Sequence, residues 1–388
     1  MTENKKVLNV VSVFFSVPFF FGNQLKYFSK KGYDIHLSCS PTDKLEKYAK
    51  EQGIKSKAFL ILREFTVFQD IKTVIKLQKY IRTQKFDIVV GHTPKGALLS
   101  MLASFIARSP KRIFFRHGLI YETKTGVVKL ILKNIERVTS FLATQVVCVS
   151  PYLIEKSLKD KLTTKRKLAL LHIGSCNGVD ALHTFNPEMI SKERQTALRK
   201  ELHIGKDNFV IGYVGRLVND KGITELVDAF RLLKQERESI KLLLIGPREE
   251  LDPVSQETLD FIDNDFDIVE VGHVEENLSY YYSLMNIFVL PTHREGLGTV
   301  CLEASSMRLP VLTNGKTGSR DAIIQDVTGR YIELIPLDIA QKIKVFMNSS
   351  KLCHEFGNGG REHMLSNFSK EVIWNEIENK VYKSKKIS

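Results

Sequence analysis

Cysteine is scarce and scattered. The five residues, Cys39, Cys148, Cys176, Cys301 and Cys353, are odd in number and show no C-x-x-C spacing. That excludes a disulfide framework and a zinc knuckle, and points to a reducing compartment. Long apolar runs are missing too: none approaches the ~20 residues of a spanning helix. The opening "NKKVLNVVSVFFSVPFFFGN" imitates a secretory signal, but Pro18 interrupts it and no A-x-A-like site follows. It is expected to be a buried strand over residues 7–14 that enters an aromatic loop. Repeats of solenoid period and low-complexity segments are also lacking.

What is present fits a soluble globular chain: 388 residues, 43% hydrophobic and 26% charged. The length exceeds one comfortable core and predicts two domains. Net charge is +13, unevenly divided. Residues 1–180 hold 31 Lys+Arg against 13 Asp+Glu, and the remainder 26 against 31. A basic first half suits nucleic acid, an anionic membrane leaflet or a phosphorylated substrate, and charge alone does not choose among them.

Apolar runs rich in Val, Ile and Phe alternate with helical patterns. "LNVVSVF", "DIHLSCS", "FDIVVGHT", "KRIFFRHG" and "TQVVCVSP" occupy the first half, followed after the basic run "KDKLTTKRK" by a short strand "LALLHI". This βα alternation predicts a parallel sheet covered on both faces. "DIKTVIKLQKYIRTQK" predicts an amphipathic helix with Ile71, Val74, Ile75 and Ile81 on its apolar stripe and Lys72, Lys76, Lys79 and Arg82 largely elsewhere. The Gly-, Asn- and Pro-containing "GSCNGVDALHTFNP" marks a connection between domains, after which the alternation restarts. "NFVIGYVGRL", "IKLLLIGP", "DIVEVGHV", "NIFVLPT" and "RLPVLTN" predict a second parallel sheet, interleaved with helical stretches such as Lys221 to Arg237. Ligands of such sheets sit at the carboxyl ends of the strands, so a cleft site is expected.

Two turns carry the chemistry. In "NIFVLPTHREGLGTVCLEASSMRLPVLTN" the glycines fall between a strand and a helix predicted from about Thr299 to Met307. Unpaired amides and the positive end of the helix dipole favour a phosphate there. Glu303, one turn into the helix, is placed to accept bonds from two adjacent ribose hydroxyls, and Glu295 to meet what the phosphates carry. In "GYVGRLVNDKGITELVDAF", Arg216 and Lys221 again lie between strand and helix. Two such turns in one half suit a diphosphate.

With these residues in view, the chain resembles the retaining glycosyltransferases of family 4, above all bacterial members that build capsule, lipopolysaccharide or other surface glycans. The family's E-G-x-G-x-x-x-x-E signature stands as Glu295, Gly296, Gly298 and Glu303. Its "GRL...KG" signature stands as Gly215, Arg216, Leu217, Lys221 and Gly222, and "LLLIGPREELDP", "NGVD" and "HTPKGALLSMLA" extend the likeness over nearly the whole chain. The resemblance implies an α/β GT-B fold of two Rossmann-like doubly wound domains: an acceptor-side domain over 1–180, a nucleotide-sugar domain over 186–368, and a helix over 369–388 returning to the first.

It also implies that Arg216, Lys221, Gly298 and Thr299 hold the donor diphosphate, that Glu303 holds the ribose, and that Glu295 and His117 stand at the reacting centre. The donor is taken as a UDP-sugar acting as co-substrate, with no metal or other cofactor, and the acceptor as a lipid-linked glycan. Phe21 and Gly22 fall in the loop expected at the acceptor, where many relatives are richer in glycine. Arg308 stands where a glycine is common. A cytoplasmic protein peripheral on the inner face of the cell membrane follows, with no nucleic-acid partner. Candidate lipid contacts are the lysine-bearing helix around residue 76, the run Lys161, Lys165, Arg166 and Lys167, and the phenylalanines Phe19, Phe20 and Phe21.

Rival readings remain at this stage. Asp263 and Asp265 imitate a metal-binding D-x-D but precede a strand at an acidic helix end, where turn and cap chemistry is the simpler role. Cys176 in "GSCNG" imitates a nucleophile elbow without a strong helix behind it. A nucleotide-sugar epimerase on two such sheets, or a subunit that binds nucleotide sugar without turnover, is also compatible.

Overall fold

The computed structural model describes residues 5–384 except Arg63, Phe65, Arg237, Glu238 and Leu251. Residues 385–388 of the expected returning helix lie outside the described residues. The chain divides into two compact units, one of residues 1–177 with 371–388 and one of residues 178–370.

In the first unit, β1 (Lys6–Val10), β2 (Asp34–Ser38), β3 (Lys55–Ser56), β4 (Ile88–Gly91), β5 (Lys111–Arg116), β6 (Gln145–Cys148) and β7 (Leu168–Leu170) form one sheet in the order β3-β2-β1-β4-β5-β6-β7. Every pair is parallel. The five inner strands, β1, β2, β4, β5 and β6, are buried on both faces, which is why they read as continuous apolar runs rather than as alternation. Strand order reverses between β1 and β4, the switch point at which doubly wound sheets leave a crevice.

The segment after β1 differs from expectation. It is helical, with a 3-10 turn Phe14–Ser16, a short helix Val17–Phe21 and a helix Gln24–Lys30. Pro18 sits in the first turn of its helix, where a missing N–H costs nothing. Phe21, expected in an acceptor loop and as a lipid contact, is instead core, packed with Val7, Leu25, Phe28 and Ile35. Phe19 alone of the three phenylalanines is well exposed. The helix Val67–Gln84 also needs correcting: it buries Thr73, Val74, Leu77 and Ile81, while Ile71 and Ile75 face solvent.

Residues 371–384 complete this core. Ile373, Trp374 and Ile377 of the helix Lys370–Ile377, then Val381 and Tyr382 of the following π-helical turn, join the cluster around Phe28. The Trp374 indole donates to Asn177 Oδ1 at 2.9 Å, so its one polar atom is satisfied where the ring is buried. Replacing Trp374 with Ala would remove roughly 3–5 kcal/mol.

The helix Gly126–Leu142 is inverted. Its inward face carries Glu136, Thr139 and Ser140. The fully buried Arg116 explains this: its Nε donates to Glu136 at 3.0 Å and its two terminal nitrogens donate to Ser157 and Ser140 at 2.6 Å each. A buried guanidinium without partners would be very costly, so the polar face is held inward. Lys167 fixes the far end by donating to the carbonyls of Ser140, Phe141 and Ala143.

In the second unit, β8 (Phe209–Val214), β9 (Ile240–Ile245), β10 (Ile268–Gly272), β11 (Ile287–Leu290), β12 (Val311–Asn314) and β13 (Gly329–Ile332) are parallel in the order β10-β9-β8-β11-β12-β13. The switch point lies between β8 and β11, so the loops bearing Arg216 with Lys221 and Glu295 with Gly298 leave neighbouring strands at one edge. The helix expected to end at Arg237 is described as Ile223–Glu236; Arg237 lies outside the described residues.

Candidate active site

In the second unit the two signature turns meet. Lys221 Nζ stands 2.6 Å from Glu295 Oε2, with side chains 15% and 21% exposed. Burial opposes the Glu295 charge, but Lys221 and a bond from the Gly296 N–H more than offset it and hold the carboxyl below its usual range. The loops are spliced further by Asp220, whose carboxylate accepts from Arg294 at 2.7 Å and whose N–H donates to Asp252 at 2.7 Å. His293 pairs with Glu225 at 2.7 Å, a bond that raises the imidazole pKa.

Backbone shape does the rest of the positioning. Gly222 has φ 73°, and a Cβ there would lie 1.8 Å from the Pro291 carbonyl, so only glycine lets the first turn close on the second. Gly298, at φ 76°, precedes the helix Thr299–Ser306. The loop is also tied from behind, since the Gly318 N–H donates to the Glu295 carbonyl at 3.0 Å. Free amides of that helix start, Lys221 and Arg216 are the groups here that can meet an anion. Arg216 is anchored at 2.7 Å to Glu249, and its carbonyl accepts from the Tyr213 hydroxyl at 2.9 Å.

Glu303 lies one turn into the helix, half-buried, and accepts from the Tyr282 hydroxyl at 2.9 Å. Burial pushes its carboxyl up to about 7, against that bond. Tyr282 is itself buried and its phenol is raised well above its ordinary value, so it stays a donor.

In the first unit His117 follows β5. Its Nε2 is 3.0 Å from His92 Nδ1, and His92 Nε2 is 3.4 Å from Asn9 Oδ1. Phe20 stacks on His117 with ring centroids 3.8 Å apart and planes 9° apart. Burial pushes His117 down to about 3 and His92 well below its ordinary value, so both rings are neutral. Beside them Thr93, a β-branched residue, holds φ 60°, a strained conformation secured by a 2.7 Å bond between its hydroxyl and that of Ser12. A cavity of about 310 Å³ follows, bordered by Ser12, Thr93, Lys95, Tyr121, Leu132 and Ile135.

The structure thus joins Lys221 to Glu295, sets Gly298 and Thr299 at the same turn, and places Glu303 behind them. Gly22, at φ 47°, ends its short helix and is not part of a long loop. Sequence reading missed Asp220, Glu249, Tyr282 and Arg294 as organisers, and His92 as the partner of His117. His92 had a signal: it follows strand β4 as His117 follows β5. Of the imitations, Asp263 is paired with Arg248 and Asp265 with Lys234. Burial pushes the Cys176 thiol up to about 12, away from a nucleophile's range.

Two doubly wound units, each with its polar residues at the switch-point edge, define a GT-B glycosyltransferase. Residues 7–150 match the family described as "Glycosyl transferase 4-like" and residues 194–363 the family described as "Glycosyl transferases group 1". The chain is 33% identical over 377 residues, 97% of its length and 96% of the relative's, to the "Capsular polysaccharide biosynthesis glycosyltransferase CapM" of Staphylococcus aureus. It is 24% identical, over 87% of its length and 86% of the relative's, to an Escherichia coli "UDP-Gal:alpha-D-GlcNAc-diphosphoundecaprenol alpha-1,3-galactosyltransferase". Among solved structures, Anabaena HepE in complex with UDP and glucose superposes with a TM-score of 0.81 at 17% identity, covering 98% of this chain and 100% of that one. The protein belongs to this family of bacterial surface-polysaccharide glycosyltransferases, which sets the epimerase reading aside.

Proposed function

We propose that the protein transfers a sugar from a UDP-sugar to a lipid-linked glycan at the inner face of the cell membrane, with retention of anomeric configuration. The observation that carries this is the Lys221–Glu295 pair at the turn where Gly298 starts a helix, with Arg216 on the neighbouring loop. The names of two similar proteins support the chemistry of donor and acceptor: HepE is described with UDP and glucose, and the E. coli relative with a diphosphoundecaprenol substrate.

Arg216, Lys221 and the amides of Gly298 and Thr299 take the diphosphate, Glu303 the ribose and Glu295 a hydroxyl of the transferred sugar. As the bond between the anomeric carbon and the phosphate oxygen breaks, its electron pair goes to the leaving diphosphate, and these fixed cations and dipoles hold that charge. The acceptor hydroxyl attacks from the same face and its proton passes to the departing phosphate oxygen. A neutral His117 contributes a hydrogen bond rather than a charge. No metal ion is needed in this scheme, so activity is expected to survive chelation.

The test is radiolabel transfer from a panel of UDP-sugars to lipid-diphosphate acceptors, with the anomer of the product assigned by NMR. Nucleoside diphosphate binding without label transfer from any donor would make the protein a non-catalytic binder instead.

A further inference from the structure

We infer that the helix Gly126–Leu142 is a bilayer-docking element, its outward face lying in the interface of an anionic membrane. The inference rests on the membrane-side placement proposed above and names the surface responsible. Soluble helices turn apolar residues inward; this one does the reverse. Val127, Val128, Leu130, Ile131, Val138 and Phe141 are 50% to 74% exposed. At 100° per residue, Val127, Leu130, Ile131, Val138 and Phe141 share one stripe, interrupted only by Asn134. Rotation of the helix to bury that stripe is blocked, because it would strand the Arg116–Glu136 pair and the serines that complete it.

Charge selects the occupant. The one carboxylate on the helix is Glu136, which is buried against Arg116. Lys124 is exposed just ahead of the stripe, and Arg137, on the stripe's flank, donates to the carbonyl of the exposed Lys161, bringing that basic loop alongside. An apolar stripe flanked by cations and no exposed anion is the pattern of an interfacial helix on anionic lipid. A second copy of this chain would bring its own cations against these. The inner flank of the same helix fits a lipid-borne acceptor: Leu132 and Ile135 border the cavity that also touches Ser12 and Thr93, so lipid-facing and site-facing residues are one helix width apart.

The structure also revises where contact is made. Phe21 is core, Phe20 covers His117, and Lys167 caps the helix, so these take no direct part.

The full chain is tested by sedimentation with vesicles of phosphatidylglycerol and phosphatidylcholine, beside phosphatidylcholine alone. Binding is expected only with the anionic lipid and should fall as salt rises. The triple variant Val127→Ser, Leu130→Gln, Ile131→Gln, whose sites are exposed, should lose about tenfold or more in partition. Lys124→Glu should lose about fivefold or more. Transfer to a short-chain, water-soluble acceptor should be unchanged in both. Unaltered vesicle binding by the triple variant overturns the inference. So does a wild-type dimer in velocity sedimentation that the triple variant turns to monomer without vesicle binding. Vesicle binding lost in the triple variant, in a protein that uses no lipid-linked acceptor, sustains the inference and removes the acceptor reading alone.

Discussion

Lys221 and Glu295, 74 residues apart in sequence, form an ion pair of 2.6 Å at the edge where β8 and β11 end. The two signatures read separately in the sequence are therefore one device: the cation meant for a diphosphate holds the carboxylate meant for the sugar. Glu295→Ala should leave nucleoside diphosphate affinity within about threefold, because it frees Lys221, while cutting turnover about 10²-fold or more. Glu303→Ala should weaken the nucleoside diphosphate itself about ten- to hundredfold, the loss of a charge-assisted bond. Calorimetry with UDP and initial rates separate the two; equal affinity loss in both variants removes the assignment.

Glu303 gives the site a pH dependence. With its carboxyl pushed up to about 7, it is protonated below that pH and a two-hydroxyl acceptor above it. UDP affinity should therefore rise as pH increases through about 7 and then level. The sign for stability is opposite. The folded state holds this proton more tightly than the unfolded chain, so the stabilisation is full below the ordinary Glu value and is lost as pH rises through about 7. Glu303→Gln should flatten both profiles, and unchanged slopes in that variant would show that another group titrates.

Gly318 supports Glu295 through the backbone. A Cβ at Gly318 would stand 2.1 Å from the Gly296 carbonyl oxygen and 2.6 Å from that of Glu295. Gly318→Ala should push the Glu295 loop outward, costing roughly 1–3 kcal/mol of stability and more in kcat/KM than in melting temperature. Thermal unfolding beside steady-state kinetics measures the two; a variant that loses stability but keeps full kcat/KM contradicts the positioning role.

Eleven of the thirteen strands were legible, because parallel strands covered on both faces write themselves as apolar runs. β3 and β13 were not: β3 has only two residues, and β13 carries Gly329, Arg330 and Tyr331, the last two half-buried at the sheet edge, so neither prints an apolar run. The helical turns between Phe14 and Lys30 read as a loop because apolar residues surround the chain there on all sides, leaving no period. Ile71 and Ile75 were assigned inward because periodicity finds a stripe without saying which way it faces. The Gly126–Leu142 helix makes the same point more strongly, since its orientation is set by Arg116 on another element. Glu295, Lys221 and Glu303 were visible as motifs, but Tyr282 and Asp220 owe their places to tertiary approach alone, and His92 had only its position after β4 to mark it.

Phe20 and His117 give the last prediction. The ring lies flat on the imidazole at 3.8 Å, and burial holds His117 at about 3. A histidine so covered stays neutral from pH 5 to 9, so its NMR signals should not titrate in that range and wild-type activity should have no acidic limb from it. Phe20→Ala admits water to the ring face and removes much of the desolvation that disfavours the cation, so the His117 pKa should climb by more than one unit towards the ordinary value of about 6.5. An acidic limb in kcat/KM should then emerge as the ring charges. Phe20→Leu, which keeps an apolar cover, should restore most of the low value. His117→Gln in the Phe20→Ala background should abolish the limb, separating protonation of this ring from general loosening of the core. A wild-type His117 that titrates near 6.5 would mean that the stack is open in solution, and the neutral hydrogen-bonding role assigned to it would fall.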